Sequence, residues 1–445
     1  MLNIVKQLYK FAPQLLGSGY NSCIEYLKLL IDLDVIDVPS GTEVGTWTVP
    51  DEWIVKDAWV KFNGKKIIDY KKDPLSLMVY SRPFKGTVTR EELKKHLYTS
   101  TDRLDATPYE FSFYERKWGV CMPKRKIFGE NKKDLLKKGK YEVFIDTEFR
   151  PGIMKIAVHT IKGNVARKLE EKCSKGGNHD WAYFHDPDPG SWWGWACKEC
   201  FKKPNKEQEA LLTEKKSDRE ILLFAHLDHP HQANDNLSGV ACLVDLVKRI
   251  KKPNHTIKLV FCPETIGSIA YATTQDLSKV DFMIALDAIG SDTELTLQWA
   301  YDDKHRLNKI ARSTMLHCGE DFKLGHFRAD IGSDEYVFND PKIGIPGLLL
   351  TRHPYPEYHT SDDTPDIIKV KKLKYVQDVI MDIIKTYEMD YIPVRNFKGP
   401  LMRSKYQAQT PVKKINAQLD YLIYNINGKL WLSEIVGDLG LNYGY

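Results

Sequence analysis

A short apolar run followed by a histidine-rich loop places the strongest constraint on how this chain folds. Residues 221–224 predict a buried strand, and apolar residues recur at helical spacing between residues 240 and 250. The loop between these elements carries four polar side chains of interest: His226, Asp228, His229 and Asp235. Open α/β sheets bind ligands where a strand ends and a helix begins, and imidazole and carboxylate groups suit zinc, so the segment predicts a metal site. The alternative is that Asp235 only caps the helix and that the histidines lie on the surface.

Strand and helix patterns alternate from Glu220 onward, and this alternation predicts the fold class. Residues 256–262, 282–287 and 347–351 have the composition of buried strands, and residues 370–387 have the spacing of an amphipathic helix. Such alternation is typical of a mostly parallel sheet that is covered by helices. The chain is therefore predicted to have an α/β fold.

Segments of a different character flank this α/β region. Residues 1–35 carry helical periodicity, whereas short alternating stretches punctuated by Gly, Pro and Asp make residues 42–146 a β-rich region. After a linker at residues 395–409, two further helical patterns cover residues 412–425 and 430–437. The sequence thus predicts a main α/β unit with smaller additional parts.

Composition narrows the class of protein and its surroundings. The chain has 445 residues, of which 42% are hydrophobic and 28% charged, and no apolar run approaches the roughly 18 residues of a membrane span. The net charge of +5 is small for this length and gives no argument for nucleic-acid binding. Eight mostly scattered cysteines and an N-terminus without a cleavage site fit a reducing compartment, so we expect a cytoplasmic location without membrane contact.

A cluster of thiols and imidazole predicts a structural zinc site. Its members are Cys173, His179, Cys197 and Cys200, with His185 as a substitute for His179. Three thiols and one imidazole give closed tetrahedral coordination, and the Pro- and Trp-rich segment between them is too small to build a core without such a metal clip. The alternative is a surface insertion with free thiols.

Three further side chains follow the predicted strands and complete a candidate catalytic set. Glu264 follows the strand at residues 256–262, and a carboxylate beside a metal is placed to act as a general base toward water. Asp287 ends the next strand, and His359 lies in a loop between a strand and a helix. Each of these residues alone is more simply a cap or a hydrogen-bonded side chain. Their order along successive strand ends, together with His226 and Asp235, favours a catalytic interpretation.

These motifs resemble those of the co-catalytic zinc aminopeptidase superfamily, which also contains the glutaminyl cyclases. The matching segments are His226-x-Asp228, Ala233-Asn-Asp235-Asn-Leu-Ser-Gly239, Glu264-Thr-Ile-Gly-Ser268, Leu286-Asp287-Ala-Ile-Gly290, Gly332-Ser-Asp-Glu335 and Tyr358-His359-Thr360. More narrowly, the chain resembles a bacterial aminopeptidase-like family with a domain of unknown function, over roughly residues 10–445 apart from the Cys-rich insertion. The motifs around Asp235 and His359 are specific.

The resemblance implies a fold and a domain organisation. The fold would be an α/β, phosphorylase/hydrolase-like zinc exopeptidase sheet covered by helices, with an inserted β-rich domain and a small C-terminal helical domain of winged-helix type. The implied boundaries are residues 1–40 and 147–390 for a discontinuous catalytic domain, 41–146 for the inserted domain, 165–215 for the zinc-knuckle insertion and 400–445 for the C-terminal domain.

Carried over position by position, the resemblance also implies roles for the site residues. The metal ligands would be His226, Asp235 and Asp287, with Asp235 able to bridge to a second metal and His359 as its far ligand. Glu264 would be the general base, and Asp228 would orient His226 by the kind of hydrogen bond that metal-bound imidazoles usually receive. Whether Asp287 or His359 completes a single site with His226 and Asp235 stays open.

Thr265 departs from the pattern of the two-metal enzymes, which have two consecutive glutamates at this point, a base and then a ligand. A hydroxyl is a poor zinc ligand, so only Asp235 and His359 of the matched residues remain as ligands of a second metal site. That site is empty, binds its metal weakly, or takes a further ligand from His229 or Glu335. We therefore favour one tightly bound zinc at the catalytic centre, with a second as the alternative, in addition to the structural zinc.

The resulting hypothesis is a zinc-dependent amide or peptide hydrolase, most simply an aminopeptidase-like one, in which Glu264 passes a proton from water to the leaving amine. Glu335, Asp334 and Glu357 are candidates for holding the substrate amine by position only. Two alternatives remain: an amidase or deacetylase acting on an amino sugar, and a non-catalytic binding or regulatory protein. The expected partner is a peptide or another small amide, and apolar positions within residues 415–423 leave a homo-oligomer open.

Overall fold

The structure of the protein, a computed structural model, describes part of the chain. The described ranges are 1–127, 136–163, 181–184, 194–197, 202–203, 219–329, 331–402, 405 and 413–439. Of the predicted cysteine cluster, Cys173, His179 and Cys200 lie outside these ranges, as does the substitute ligand His185. Cys197 is the last residue of a short strand, Gly194–Cys197. The structural zinc site therefore stays a prediction from the sequence.

An eight-stranded mixed sheet forms the centre of the molecule. In spatial order its strands are β1 (Asp34–Pro39), β10 (Ile153–Ile161), β14 (Thr256–Cys262), β13 (Glu220–His226), β15 (Val280–Asp287), β18 (Gly347–Thr351), β16 (Leu295–Gln298) and β17 (Phe322–Gly325). The middle strands β14, β13, β15 and β18 are mutually parallel, so all four end at the same edge. The bordering strands β10 and β16 run antiparallel to β14 and β18.

This sheet confirms the predicted strands and refines the predicted topology. The strands expected at residues 256–262 and 347–351 have those bounds, and β15 begins two residues earlier than its apolar run, at Val280. The expectation of a mostly parallel sheet holds for the middle four strands, and β16 and β17 are parallel to each other. One border is antiparallel because the chain before and after the β-rich insertion contributes β1 and β10 to the same sheet. The other border is antiparallel where β16 pairs with β18.

Each face of the sheet has its own hydrophobic core, and strand β13 illustrates how the sequence specifies both. Ile221 and Leu223 point into one core, whereas Leu222 and Phe224 point into the other, and all four side chains are fully buried. Because successive side chains of a strand point to opposite faces, a strand that is covered on both sides needs an uninterrupted apolar run.

The described part of the chain contains α-helices, several of which cover the two faces of the main sheet. Their bounds are α1 (Leu2–Phe11), α2 (Ser18–Lys28), α3 (Arg90–Lys95), α4 (Lys124–Ile127), α5 (Ser238–Leu246), α6 (Ile266–Thr274), α7 (Arg306–His317), α8 (Glu335–Phe338), α9 (Val370–Met389), α10 (Lys413–Asn425) and α11 (Leu432–Asp438). Helices α1, α2, α5, α7 and α9 bury side chains in the core that contains Ile221, and α6 and α8 in the core that contains Phe224. No helix in the described ranges is long and apolar enough to cross a bilayer.

The β-rich segment between β1 and β10 forms a separate antiparallel sheet. In spatial order its strands are β5 (Lys65–Asp69), β4 (Glu52–Phe62), β9 (Lys140–Arg150) and β6 (Phe84–Thr89). Short strand pairs accompany it: β2 (Glu43–Val44) with β3 (Trp47–Thr48), and β7 (Leu97–Tyr98) with β8 (Val120–Cys121). A further pair, β11 (Trp181–Phe184) with β12 (Gly194–Cys197), comes after β10 in the chain. The buried side chains of the segment between β1 and β10 join the core that contains Phe224, so this insertion packs against the main sheet.

The C-terminal helices pack against the main body through α11. The Ser433 backbone N–H donates to Asp390 at 3.0 Å, and Arg306 on α7 donates to the same carboxylate at 2.9 Å. The Arg306 guanidinium also lies 4.0 Å from the Trp431 ring centroid. On α10, Ile423 is buried within the chain. Residues 440–445, where a wing would follow, lie outside the described ranges.

Candidate metal centre

The ends of four parallel strands bring the predicted site residues together. His226 ends β13, Asp287 ends β15, Glu264 lies just beyond β14, and His359 lies in the loop after β18. Because these strands are neighbours in the sheet, their carboxyl ends meet at one edge, which is where open α/β sheets bind ligands. Asp235 joins them from the turn between β13 and α5.

Asp235 lies at the middle of the cluster and contacts three histidines. Its Oδ1 atom is 2.9 Å from His226 Nε2 and 3.3 Å from His229 Nδ1, and its Oδ2 atom is 3.0 Å from His359 Nε2. Burial alone would raise the pKa of Asp235, but the three imidazoles outweigh it and hold that pKa well below its usual range. Asp235 is therefore an ionised carboxylate with one oxygen toward each side of the cluster.

Asp363 fixes the backbone that carries Asp235. Its Oδ1 atom accepts hydrogen bonds from the backbone N–H groups of Ala233 and Asn234 at 3.2 and 2.7 Å. Its Oδ2 atom accepts from the N–H of Asp235 at 3.2 Å and from the Tyr355 hydroxyl at 2.7 Å. Because Asp363 follows His359 in the same loop, one buried carboxylate ties together the two loops that carry Asp235 and His359.

Asn236 connects the Asp235 turn to the end of β15. Its side-chain amide donates to the carbonyl of Leu286 at 2.5 Å and accepts from the N–H of Ala288 at 3.2 Å. The same amide nitrogen lies 3.4 Å from His226 Nδ1. The peptide bond between Asp235 and Asn236 is cis. Asn236 thus keeps His226, Asp235 and Asp287 in register across two strands.

Asp228 has a different contact from the one that the resemblance implies. It accepts a hydrogen bond from the backbone N–H of Glu264 at 3.1 Å. The Nδ1 atom of His226, which Asp228 was expected to orient, lies 3.4 Å from both Asn236 Nδ2 and Ser333 Oγ. Asp228 therefore positions the strand end that carries Glu264, while Asn236 and Ser333 adjoin the His226 ring.

Glu264 and His229 occupy the more open part of the cluster. His229 Nε2 is 3.7 Å from Glu264 Oε2, and the Glu264 side chain is 27% exposed. Burial is the main cause that raises the pKa of Glu264 to about 8, with His226 and His229 opposing the rise. Burial alone would lower the pKa of His229, but Asp235 and Asp228 raise it to about 9. From the sequence, His229 was one of two residues that could complete a second metal site. The structure places it between Asp235 and the predicted base Glu264.

The donor set fits a divalent cation. Two groups of three side chains have their ligand atoms within 4.8 Å of one another: His226, His229 and Asp235, and His226, Glu264 and Asp287. Among the residues that the structure describes, the buried Oδ1 atom of Asp287 and the buried Oε1 atom of Glu335 have no hydrogen-bond partner. Burial, followed by the charge of Asp235, raises the pKa of Asp287 to about 7. Buried carboxylates that lack partners beside several imidazoles are the ligands that zinc prefers.

Of the three residues predicted by position to hold the substrate amine, Glu335 and Asp334 lie beside this cluster. Glu335 is the first residue of α8 and is fully buried, with Oε2 accepting from the Ser333 N–H at 3.0 Å. Asp334 accepts at 3.1 Å from the backbone N–H of Thr265, the residue that replaces the usual second glutamate. Glu357 is partly exposed in the loop that precedes His359.

Two residues at the centre were missed by the sequence analysis. Asp363 is one, although its position in the Ser-Asp-Asp stretch after His359 could have suggested a second carboxylate in that loop. Tyr109 is the other: its ring lies edge-on to His229 and His359, with centroid distances of 5.4 and 5.0 Å. It belongs to the β-rich insertion, and nothing in its local sequence points to the centre.

Comparison with known proteins agrees with this description. A protein of Clostridium acetobutylicum, provisionally described as a polysaccharide biosynthesis protein with an aminopeptidase-like domain, is 29% identical over 393 residues, which are 86% of this chain and 75% of that protein. A crystal structure from the same species, provisionally described as a peptidase, has a TM-score of 0.73 at 26% identity and covers 100% of this chain and 91% of its own. The zinc aminopeptidase BSAP of Bacillus subtilis has a TM-score of 0.57 at 13% identity, over 87% of this chain and 94% of that one.

The fold is therefore the α/β fold of the zinc aminopeptidases, as the sequence predicted, with a histidine and carboxylate cluster at the carboxyl edge of its parallel strands. Residues 2–390 match the protein family described as the domain of unknown function DUF4910. The chain belongs to this family.

Proposed function

We propose that the protein is a zinc-dependent hydrolase of amide or peptide bonds, most simply an aminopeptidase-like one, with Glu264 as its general base. The observation that carries the proposal is the position of Glu264 at the accessible side of the cluster. The side chains of Glu264 and His359 are 27% and 24% exposed, whereas those of His226 and Asp235 are 1% and 3% exposed. The descriptions of two relatives, as a peptidase and as a protein with an aminopeptidase-like domain, support the proposal.

The residues that would hold zinc are His226, Asp235 and Asp287, with His229 and His359 beside Asp235 as further candidate ligands. We favour one tightly bound ion because Thr265 replaces the second glutamate. When bound, zinc supplies Lewis acidity toward water and toward the substrate carbonyl.

The remaining chemistry belongs to Glu264. Its carboxylate accepts the proton of the water that attacks the carbonyl carbon, and it then donates that proton to the amine nitrogen as the C–N bond breaks. In the protein without a cation, the pKa of Glu264 is about 8, and a nearby positive charge would lower it toward the ionised form that a base requires. The hydrogen bond from the Glu264 N–H to Asp228 keeps the side chain at the mouth of the cluster.

The test is replacement of Glu264 by Gln, which keeps the shape of the side chain and removes its basicity. We expect kcat toward aminoacyl anilides to fall by roughly 100- to 10,000-fold, the range that general acid–base catalysis contributes, while zinc content by mass spectrometry is unchanged. Glu142→Gln, which alters an exposed carboxylate on β9, is the matched control and should keep full activity. If kcat of the E264Q variant is within tenfold of the parent value, Glu264 is excluded as the general base.

A second candidate function is hydrolysis of the amide of an amino sugar. The description of the Clostridium relative as a polysaccharide biosynthesis protein favours it, and the same residues would serve. If this second function is correct, the parent protein releases acetate from N-acetylated amino sugars and does not hydrolyse aminoacyl anilides. The E264Q variant should then lose the release of acetate.

A further inference from the structure

The β-rich insertion is fastened to the loop that carries His359. The backbone N–H of Tyr109 donates to the carbonyl of His359 at 2.8 Å, and the N–H of Ser361 donates to the carbonyl of Thr107 at 2.8 Å. The Thr107 N–H also donates to the Ser361 hydroxyl at 3.1 Å. These bonds fix the position of residues 107–109 relative to the metal centre, so the insertion forms part of the rim of the site.

A row of aromatic side chains leads from the centre along this part of the insertion. The buried Tyr109 ring contacts the His359 ring edge-on, and the Phe111 ring lies 5.6 Å from Tyr109 and 6.3 Å from His359 between centroids. The Phe113 ring follows at 4.5 Å from Phe111. Phe111 is 40% exposed, in contrast to the 3% exposure of Tyr109, so an apolar ring faces solvent beside His359.

The exposed ring borders the side from which a substrate can reach the cluster. His226, Asp235 and Asp287 are buried, whereas Glu264 and His359 are partly open to solvent. An exposed aromatic ring costs free energy in water and offers a flat apolar surface to a ligand group. The hydrogen bonds between residues 107–109 and the His359 loop hold this surface beside the centre.

We propose that Phe111 is a specificity-determining residue that contacts a large apolar or aromatic group next to the scissile amide. The inference rests on the proposed function and narrows its substrate class to amides of amino acids with side chains such as Phe or Leu. The insertion is then part of the substrate site and selects the substrate, while the strand ends of the main sheet carry the chemistry.

The test compares Phe111→Ala with Tyr114→Ala. Tyr114 is a matched control because it belongs to the same segment and is 51% exposed, but its ring contacts Trp47, with a centroid distance of 6.0 Å, and not His359. We measure kcat/KM for coumarin amides of Phe, Leu and Ala. Loss of one large apolar contact should lower the Phe-to-Ala ratio of kcat/KM by roughly tenfold in F111A and leave it unchanged in Y114A. An unchanged ratio in F111A, or the same change in Y114A, overturns the proposal.

A binding measurement separates this inference from the proposed function. Calorimetric titration of phenylalaninamide and alaninamide into zinc-loaded Glu264→Gln protein, with and without Phe111→Ala, requires no turnover. If the Glu264→Gln protein binds phenylalaninamide more tightly than alaninamide and F111A removes this preference, the role of Phe111 is supported. Failure of the parent protein to hydrolyse any coumarin amide would refute the proposed hydrolase activity but not this role in binding. Equal affinity for both amides in the Glu264→Gln protein overturns the proposal, and equal zinc content in both proteins excludes an indirect effect on the metal.

Discussion

Two clusters of histidine and carboxylate side chains, one partly buried and one buried, lie at opposite ends of strand β15. At its amino end, His255 Nε2 is 3.1 Å from Asp281 and His255 Nδ1 is 3.1 Å from Glu388. Arg219 donates to the other oxygen of Asp281 at 2.6 Å. This amino-end cluster ties the start of β15 to the end of α9 and contains its own permanent cation.

The carboxyl-end cluster, around Asp235 and Asp287, is built differently. Its ion pairs among the described residues join carboxylates to histidines, and no lysine or arginine takes part. The buried Oδ1 atom of Asp287 has no hydrogen-bond partner within the described ranges. A cluster that balances its own charge needs nothing further, whereas unpaired buried carboxylates lower stability unless a ligand neutralises them. This difference supports a structural role for the first cluster and the proposal that the second holds a cation.

The largest effects are expected when one carboxylate is removed from each end of β15. Asp287→Asn should lower the zinc affinity of the centre more than about 100-fold, because a ligand is lost. It should also stabilise the zinc-free protein by on the order of 1–3 kcal/mol, because the amide lacks the charge whose burial and repulsion by Asp235 raise the pKa of Asp287 to about 7. Asp281→Asn should leave zinc affinity unchanged and lower the free energy of unfolding by about 1–3 kcal/mol, because it breaks contacts to His255 and Arg219.

Both variants are measured in a background with Cys197 and Cys200 replaced by Ala, because the predicted cysteine site would otherwise add a zinc ion. Chelator competition gives the affinity, and urea denaturation of the zinc-free proteins gives the stability. Equal zinc affinities in the two variants, or a destabilised D287N, would contradict the division into a structural and a ligand-binding end.

A smaller effect is expected from Asp363→Asn, which sharpens the role of the residues around the ligands. An amide in place of the carboxylate keeps the size of the side chain but presents N–H groups to the donors of residues 233–235. We expect zinc affinity to fall about tenfold, because partners that orient metal ligands typically contribute that much. Asp362→Asn is the control: this neighbour is 37% exposed, pairs with Arg103 and should leave zinc affinity unchanged. If the D363N and D362N variants have equal zinc affinities, the Asp363 carboxylate is not needed to position Asp235.

The smallest expected effect is a pH dependence at the amino-end cluster. Burial alone would lower the pKa of His255, but its hydrogen bonds to Asp281 and Glu388 outweigh burial and raise that pKa above its ordinary value of 6.5. The stabilisation is therefore fully present below pH 6.5 or so and is lost as the pH rises through the raised pKa. The difference in unfolding free energy between the parent and His255→Asn should shrink with rising pH over that interval. If this difference in unfolding free energy grows with rising pH, folding lowers the pKa of His255 and does not raise it.

The strands of the main sheet could be predicted where burial on both faces demands a continuous apolar run. Residues 256–262 and 347–351 are such runs, and their predicted bounds match the structure. The short strands at residues 295–298 and 322–325 were missed because four residues, some of them polar, carry too little pattern to separate a strand from a loop.

The site was predictable in its residue types and less so in its contacts. His226, Asp235, Glu264, Asp287 and His359 could be named because each lies at or just beyond a predicted element, and parallel strands bring such ends together. The partner of Asp228 was not predictable, because its hydrogen bond to Glu264 depends on how two adjacent strands are registered.

The α/β fold, the order of ligand-type side chains along the strand ends and the β-rich character of the insertion can be read from local periodicity and from motifs of a few residues. Three features depend on tertiary packing: Asp363 holds the Asp235 turn, His229 lies between Asp235 and Glu264, and Phe111 faces solvent beside His359. The physical reason is that hydrogen bonds and ring contacts act over a few ångströms. Segments far apart in the chain come that close only when the packing of the whole sheet and its insertion places them there.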